Sequence, residues 1–440
     1  MRLSKAGWIL IDPKKESIFF TPNQRNAQLH SFPQSFKAEI GSSLMTSVRT
    51  SKSFKKISPL HLPIWLQQTS VNKIRMGPFI GILTSDRQHR FRGNHKNFAD
   101  LIRMGYKMGV SVFVLTPSSF RKNSRFVDGY VLDPFSKKKR WLKAKLPFPH
   151  VIYNRIPDRI AEKQNAEQTI LNHLKAMPNV HLFNPSFFDK WSISQHLLKN
   201  EEWRFLIPKT KPLNSIDVLK TMTSQYPTLY AKPIHEKAGI GLMKIYTEPT
   251  QYRLVYQDQN GCQRYHLKTL DQLWKLIALK KKDRDYVVQQ GIPLIRYQNR
   301  PCDFRILVQK DCHGTWQVTG IGVRVAGKNA ISTHVPMGGS IANVHRVLKT
   351  VFPHNYDYIY KRLKQTAIGI AKSIEKDHLT PLGEMSMDIG IEKNGRMWFF
   401  EANSKPMKFD EPTIRSRSLQ RIIDYSLFLS GFSESGGKQS

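Results

Sequence analysis

The chain has 440 residues, 40% hydrophobic, 11% aromatic and 23% charged, enough apolar material for two or three packed domains and too much for wholesale disorder. With 25 Gly and 25 Pro it is neither collagen-like nor of low complexity, and its three cysteines (Cys262, Cys302, Cys312) include no CxxC pair, which argues against a disulfide framework or a zinc site. Sixty-nine Lys and Arg against 33 Asp and Glu give a formal net charge of +36, so polyanions are attracted whatever the specific function.

Residues 1–75 are basic, with only scattered apolar positions, and are expected to form a weakly ordered extension or a small β-type domain. Trp8-Ile9-Leu10-Ile11 is too short for the core of a secretory signal, and no apolar run reaches the roughly 18–20 residues of a membrane helix. The expectation is an intracellular chain without signal peptide or membrane span. The runs Lys137-Lys138-Lys139-Arg140 and Lys280-Lys281-Lys282 read as solvated faces. No zinc-ligand spacing, RNP-like strand or basic-zipper heptad accompanies them, so no specific nucleic-acid partner is expected. A nucleotide or a negatively charged matrix accounts for the charge as well.

From residue 76 to 185 the pattern is α/β. Phe79-Ile80-Gly81-Ile82-Leu83 predicts a buried strand, Phe98, Leu101, Ile102 and Met108 fall at helical spacing, and Val110 to Leu115 predicts a second strand. Strand, helix, strand is a βαβ unit and implies a parallel sheet. Val151-Ile152-Tyr153 predicts a further strand ending at Asn154 and Arg155. Residues at strand carboxyl ends in such sheets meet ligands, so both are substrate candidates, the alternative being a structural turn before Pro157.

Residues 186–430 read as mixed α+β, in two lobes of about 186–286 and 287–430, with a disordered tail over 431–440. Helices are predicted near Lys190 to Leu198 and Tyr358 to Ile374. Strands are predicted at Thr228 to Pro233, Leu242 to Tyr246, Tyr286 to Gln290, Phe304 to Gln309 and Gln317 to Val325.

The most informative segment is Glu384 to Asn403, two alternating apolar runs around Asn394-Gly395, which signal a hairpin with a two-residue turn. That turn places Asp388 opposite Glu401, with Ile389 facing Phe400 and Ile391 facing Trp398, and puts Asn403 on the face of Glu401. Two carboxylates directly opposed in a sheet repel. Either a divalent cation resolves the conflict, for which an oxygen set of Asp, Glu and Asn suits Mg²⁺, or a nearby Lys or Arg does.

Three further segments carry polar chemistry. Lys232 leads into a loop with Gly239 and Gly241, a combination that can bring an ammonium and backbone N–H groups to phosphate. Gln289-Gln290-Gly291-Ile292 ends a strand whose freed backbone groups can pair with a flat base. Arg305 and Arg324 place guanidinium forks on strands. Gly322 to Asn329 nearly spells a Walker A loop, but Asn329 stands where Ser or Thr would hold the metal, and the reading is rejected.

The order YAKP, glycine loop, VVQQGI, DFR, strand arginine, Gly338-Gly339 and MDIG…FFEAN resembles the ATP-grasp superfamily. VIYNRIP and FNP…DKW make the chain most similar to its YheC/YheD branch, endospore coat-associated proteins of spore-forming Bacillus-type bacteria. The resemblance spans roughly Gly77 to Arg421. It implies an α+β ATP-grasp fold preceded by a Rossmann-like α/β pre-ATP-grasp domain. It also implies ATP and one or two Mg²⁺ as cofactors. Lys190 and Lys232 would contact phosphates beneath the Gly239–Gly241 loop, Gln289 to Ile292 would form the adenine hinge, and Asp388, Glu401 and Asn403 would hold the metal. Arg305 and Arg324 would stabilise the transferring phosphoryl group, with Asn154, Arg155, Gly338 and Gly339 on the substrate side. The implied activity is carboxylate–amine ligation through an acyl-phosphate, with unknown donor and acceptor, in the mother cell or at the spore coat. A phosphotransferase, and a non-catalytic coat component that holds anionic coat or cortex polymer, are the alternatives. Two departures from better-known members are Gln289-Gln290, where many place a Glu, and His334, where related ligases have Asn.

Overall fold

The computed structural model describes residues 4–432 except 13–16, 23–32, 43, 52–59, 71–72, 89, 123, 134–139, 235–239, 329, 334–337 and 379. Among them, strands Ser4–Asp12, Ser17–Pro22, Ser35–Ile40, Leu44–Thr50, His61–Ser70 and Lys73–Gly77 close into a barrel, in the order first, second, fourth, third, sixth, fifth. Ile9 and Ile11, Ile18 and Phe20, Ala38 and Ile40, and Leu62 and Ile64 are buried at every second position, which is the pattern of a filled barrel. The basic start of the chain is thus β-type rather than weakly ordered, and closure leaves it no free strand edge.

The second sheet has the order Trp141–Pro147, Phe126–Leu132, Ser111–Leu115, Phe79–Leu83, Val151–Asn154, His181–Phe183. Its last four strands run parallel, and helix His95–Lys107 makes the crossover that the βαβ pattern implies. Asn94 caps that helix by accepting the Asn97 N–H at 3.0 Å, and Phe98, Leu101 and Ile102 form its buried stripe.

The third sheet is antiparallel, ordered Thr210–Pro212, Tyr286–Gln290, Thr228–Pro233, Leu242–Thr247, Tyr252–Asp258, Gly261–Leu267. Helices Ile216–Gln225 and Leu270–Lys281 cover the face formed by Leu229, Ala231, Met243 and Ile245. Alternation therefore leaves Tyr230, Lys232, Lys244 and Gln289 together on the other face.

The fourth sheet runs Ser340–Asn343, Trp316–Val325, Arg300–Lys310, Glu384–Ile391, Met397–Asn403, and shares a core with helices Val344–Val351 and Tyr356–His378. Helix Lys190–Lys199 buries Ile193 and Leu197 in this same core. It packs with the later lobe, whereas the sequence pattern groups it with residues up to 286.

Helix Pro412–Leu429 returns to the parallel sheet, where Leu419, Ile422 and Ile423 pack with Leu101 and Ile102, and Arg415 meets Asp100 at 3.0 Å. Gly431 and Phe432, expected to begin a disordered tail, are instead anchored. Phe432 is fully buried beneath the Arg75 guanidinium, 5.0 Å from its ring centre, and Gln67 donates to the Gly431 carbonyl at 2.9 Å. Residues 433–440 lie outside the described residues. No described helix is long and apolar enough to cross a membrane.

Gly320 lies where this last helix crosses the fourth sheet, and a Cβ there would fall 2.5 Å from Ile414. Gly320→Ala is expected to cost about 1–3 kcal/mol through overpacking. A lowered denaturant midpoint that Ile414→Ala partly restores in the double variant checks it.

Candidate functional site

Strands Glu384–Ile391 and Met397–Asn403 pair antiparallel with Asp388 opposite Glu401 and Ser386 opposite Asn403. The route to that register differs from the one the sequence predicts. Glu392 N–H donates to the Arg396 carbonyl at 2.9 Å, so the loop is the three residues Lys393-Asn394-Gly395, with Gly395 at φ 82°. Ile391 therefore faces Met397 rather than Trp398, and Ile389 faces Phe399 rather than Phe400. A bulge at Phe400 then restores the pairing before Glu401. The two single-residue shifts cancel at the carboxylates. The bulge also gives Phe400 a use of its own, because the Lys232 ammonium lies 5.7 Å from its ring centre.

Around this pair the structure gathers cations from three directions. The Lys190 ammonium, in the first turn of a helix capped by Asp189, meets Glu401 Oε2 at 2.5 Å, and Asn403 Nδ2 donates to Glu401 Oε1 at 3.1 Å. Arg324 grips Asp303 with both arms, Nε to Oδ1 at 2.8 Å and Nη2 to Oδ2 at 2.7 Å, and reaches Asp388 Oδ2 at 2.7 Å. Thr333 closes the network by donating to Asp303 Oδ2 at 2.6 Å. Arg305 sits directly across from Asp388 on the neighbouring strand, half-buried, with its guanidinium 5.7 Å from the Phe409 ring centre. Among the described residues it forms no ion pair.

Lys232 donates to Gln289 Oε1 at 2.5 Å, and Gln289 Nε2 donates to Thr210 at 2.9 Å. Burial lowers the Lys232 ammonium to about 8, with Lys190 pushing the same way and Glu401 opposing. Burial raises the Asp388 carboxyl to about 6 even though Arg324 pulls it down, and the nearby Glu401 and Asp303 charges add to the rise. Among the described residues, the buried Asp388 Oδ1 meets no donor, and the neighbouring Ser386 hydroxyl has no partner. Among the described residues, no group of three or more His, Cys, Asp or Glu stands at metal-ligating spacing. The oxygen set of two carboxylates and one amide, with one buried carboxylate oxygen unpartnered, nevertheless fits a hard divalent cation.

The remaining candidates separate. Gly291 N–H donates to the Thr228 carbonyl and Gln290 N–H to the Lys209 carbonyl, both at 2.8 Å, so these two donors are not free for a base as the sequence implies. A Cβ on Gly291 would strike the Thr228 backbone at 2.7 Å, which explains the glycine there. Ile292 follows, its carbonyl accepting from Leu294 N–H at 2.9 Å. Gly241, at φ 80°, is fixed by Tyr286, whose hydroxyl donates to its carbonyl at 2.9 Å. Gly239 and His334 lie outside the described residues. Gly338 has φ 81° and open space around it, and Gly339 leads into strand Ser340–Asn343.

Asn154 and Arg155 do not join this cluster. Asn154 is fully buried, donating to the Pro185 carbonyl at 2.9 Å and accepting the Ile156 N–H at 3.0 Å. Arg155 binds Glu384 Oε1 at 3.2 Å and the Pro406 carbonyl at 3.0 Å. The expectation that they meet substrate gives way to a structural role, the turn that the sequence leaves as an alternative. Glu384 also accepts from the Tyr153 hydroxyl and from Gln309 at 3.1 Å, and burial raises its carboxyl. Sequence reasoning assigned no part to Asp303, Thr333 or Glu384. Asp303 stands in the DFR motif, which is the signal that could have found it, and the structure pairs it with Arg324 across strands Arg300–Lys310 and Trp316–Val325.

The description of a YheC/D-like ATP-grasp family matches residues 179–429. Two proteins of Bacillus subtilis (strain 168) are similar along most of their length. The endospore coat-associated protein YheD is 27% identical over 370 residues, 81% of this chain and 80% of its own. The endospore coat-associated protein YheC is 21% identical over 332 residues, 74% of this chain and 88% of its own. Among solved structures, the macrocyclase MdnC from Microcystis aeruginosa, bound with its precursor peptide, shares 13% identity at a TM-score of 0.43, over 79% of this chain and 99% of that one. D-alanyl-alanine synthetase A from Vibrio cholerae shares 13% identity at a TM-score of 0.44, over 81% and 97%. With more than half of its length matched by that description, this chain has the ATP-grasp fold and belongs to the YheC/D-like ATP-grasp family.

Proposed function

We propose that the protein is an ATP-dependent carboxylate–amine ligase working through an acyl-phosphate, at or near the endospore coat. The observation that carries the reading is the convergence of Lys190 and Lys232 on the opposed pair Asp388 and Glu401, with Arg305 beside them. Two ammonium groups from different lobes suit the phosphates of a nucleotide held between those lobes. Asp388, Glu401 and Asn403 would hold Mg²⁺, which when bound neutralises phosphate charge.

The chain's own residues then have separable tasks. Lys232, steadied by Gln289 and the Phe400 ring, and Lys190 hold the phosphates. Arg305 faces the charge that develops on the transferring phosphoryl group. A substrate carboxylate oxygen bonds to the γ-phosphorus as the bond to ADP breaks. An amine then bonds to the acyl carbon, phosphate departs and the amine loses a proton. No covalent bond to the protein forms, so catalysis rests on positioning and charge. Arg324 is assigned a holding part, orienting Asp388 through Asp303. The coat association in the relatives' names and the +36 charge support a location among anionic coat or cortex polymer.

Calorimetric titration with a non-hydrolysable ATP analogue, with and without Mg²⁺, tests the reading. Glu401→Gln is expected to abolish the Mg²⁺-dependent part of binding with an unchanged melting temperature, since it removes charge rather than volume. Normal Mg²⁺-dependent binding in that variant would rule out the metal assignment. Lys232→Ala is expected to weaken analogue binding about tenfold or more, with little change in the melting temperature of the nucleotide-free protein. Loss of folding would instead mark that lysine as structural.

The depressed Lys232 also sets a pH dependence. Below about 8 it is charged and binds phosphate. As pH rises through that value binding should weaken, and near pH 8 binding should take up a proton, read as a buffer-dependent heat. For the nucleotide-free protein the sign is opposite. The unfolded lysine keeps its proton to about 10.4, so this group adds stability as pH rises between the two values.

A further inference from the structure

Asn184, in the Phe-Asn-Pro sequence just past strand His181–Phe183 of the parallel sheet, has no part in the site as described so far. It is fully buried and sits at φ 53°, a left-handed conformation that Asn tolerates better than most residues. Its side-chain amide has two donor hydrogens and two acceptor lone pairs, and the backbone of the last lobe uses all four. Nδ2 donates to the Glu384 carbonyl at 2.8 Å and to the Ser404 carbonyl at 2.5 Å. Oδ1 accepts the Gly383 N–H at 2.8 Å and the Glu384 N–H at 3.2 Å. One side chain thus ties the start of strand Glu384–Ile391 to the residue that follows strand Met397–Asn403. At similar volume, Asp would lose both donors and Leu all four bonds.

The same domain holds the residues beyond Asn403 one after another. The Ser404 hydroxyl donates to the Ser186 carbonyl at 2.7 Å, Lys405 pairs with the buried Glu162, and Arg155 donates to the Pro406 carbonyl at 3.0 Å. This grip bears on the register of the hairpin. The three-residue loop pairs Ile391 with Met397 and Ile389 with Phe399. Continued without a bulge, that register puts Phe400 opposite Asp388 and sends Glu401 to the core face, opposite Met387. The bulge instead sets Asp388 opposite Glu401 and Ser386 opposite Asn403, and it interrupts the ladder to do so. The turn does not select the bulged register, so the selection falls to contacts beyond the bulge. Lys190 is one of them, but under the ligase reading it turns to phosphate. Every bond of the Asn184 amide goes to backbone.

We infer that Asn184 is a positioning residue. Acting from the parallel-sheet domain, it locks the register that sets Asp388 opposite Glu401 with Asn403 on the same face. The amide carries no net charge and bonds to none of those three side chains, so its effect on a bound cation runs through geometry. The docking of the parallel sheet on the last lobe thereby becomes a condition for assembling the carboxylate pair. That the group so placed is a Mg²⁺ site rests on the ligase reading above.

The test is Mn²⁺ titration of the nucleotide-free full chain, well below its melting temperature, beside hydrogen exchange of the amides from 384 to 403. Asn184→Ala is expected to bind Mn²⁺ about tenfold more weakly or worse, and to exchange faster at Ser386 to Asp388 and at Glu401 to Asn403. Gly320→Ala, which strains the same sheet away from the open end of the hairpin, should keep the parent's Mn²⁺ affinity. Equal weakening in both variants would reduce the effect to lost stability and overturn the assignment, as would parent-like affinity in Asn184→Ala. Ser404→Ala removes only the bond to Ser186 and loosens the residue that Asn184 holds. It is expected to weaken Mn²⁺ binding about threefold, and if Asn184→Ala does not fold, parent-like affinity and exchange in Ser404→Ala would overturn the lock. A parent that binds no Mn²⁺ would sink the metal assignment alone. Exchange then decides the register: protection lost at those amides in Asn184→Ala but not in Gly320→Ala supports the lock, and equal patterns remove it.

Discussion

Asp388 and Glu401 face each other across paired strands, where two like charges at a separation of roughly 5 Å repel. The protein tolerates the conflict by bringing in compensation from elsewhere. Arg324 arrives from the neighbouring hairpin, Lys190 from a helix that precedes strand Glu384–Ile391 by almost two hundred residues, and Lys232 from the facing sheet. Each of these cations needs its own support, which Asp303 and Thr333, the Asp189 cap, and Gln289 with Phe400 supply. A large part of the two ATP-grasp lobes is therefore arranged around one pair of carboxylates. Among the described residues the compensation is incomplete at one carboxylate atom, Asp388 Oδ1. A buried oxygen without a donor is costly, and under the ligase reading a bound cation would remove that cost.

Much of this was legible in the sequence because the hairpin alternates so regularly that opposed carboxylates stand out. The legibility was partly fortuitous. The loop is one residue longer than the Asn-Gly signal implies, and a bulge at Phe400 removes the error before it reaches Glu401. Bulges leave little trace in apolar periodicity, so the partners of Ile389 and Ile391 came out wrong while the pairing of Asp388 came out right. The strand arginines were visible too, but the sequence could not show that Arg324 is already engaged by Asp303. That pairing depends on the register between two strands joined by a turn without a strong signal.

Elsewhere the rule that strand ends meet ligands pointed to Asn154 and Arg155. It failed there because that edge of the parallel sheet is covered by the ATP-grasp lobe. For the first seventy-odd residues the sequence left a weakly ordered extension and a small β-type domain both open, and closure into a barrel was not legible. Most of its strands bury large residues such as Ile9, Ile18, Phe20 and Ile40 only at every second position, and the basic and polar residues between them hide the core from a reading of composition. The hinge donors of Gln290 and Gly291 were misread because their partners, Lys209 and Thr228, lie far away in sequence.

The anchored end of the chain bears on how the molecule is made. Gln67 in the barrel bonds Gly431, 364 residues later, and Arg75 lies over Phe432. Tyr153 likewise reaches Glu384, 231 residues ahead. During synthesis the barrel and parallel sheet emerge first, with the surfaces that receive these residues still bare. Their final seating waits until helix Pro412–Leu429 and the residues just after it have left the ribosome, so a chain cut before Phe432 would leave an apolar socket open between the barrel and that sheet.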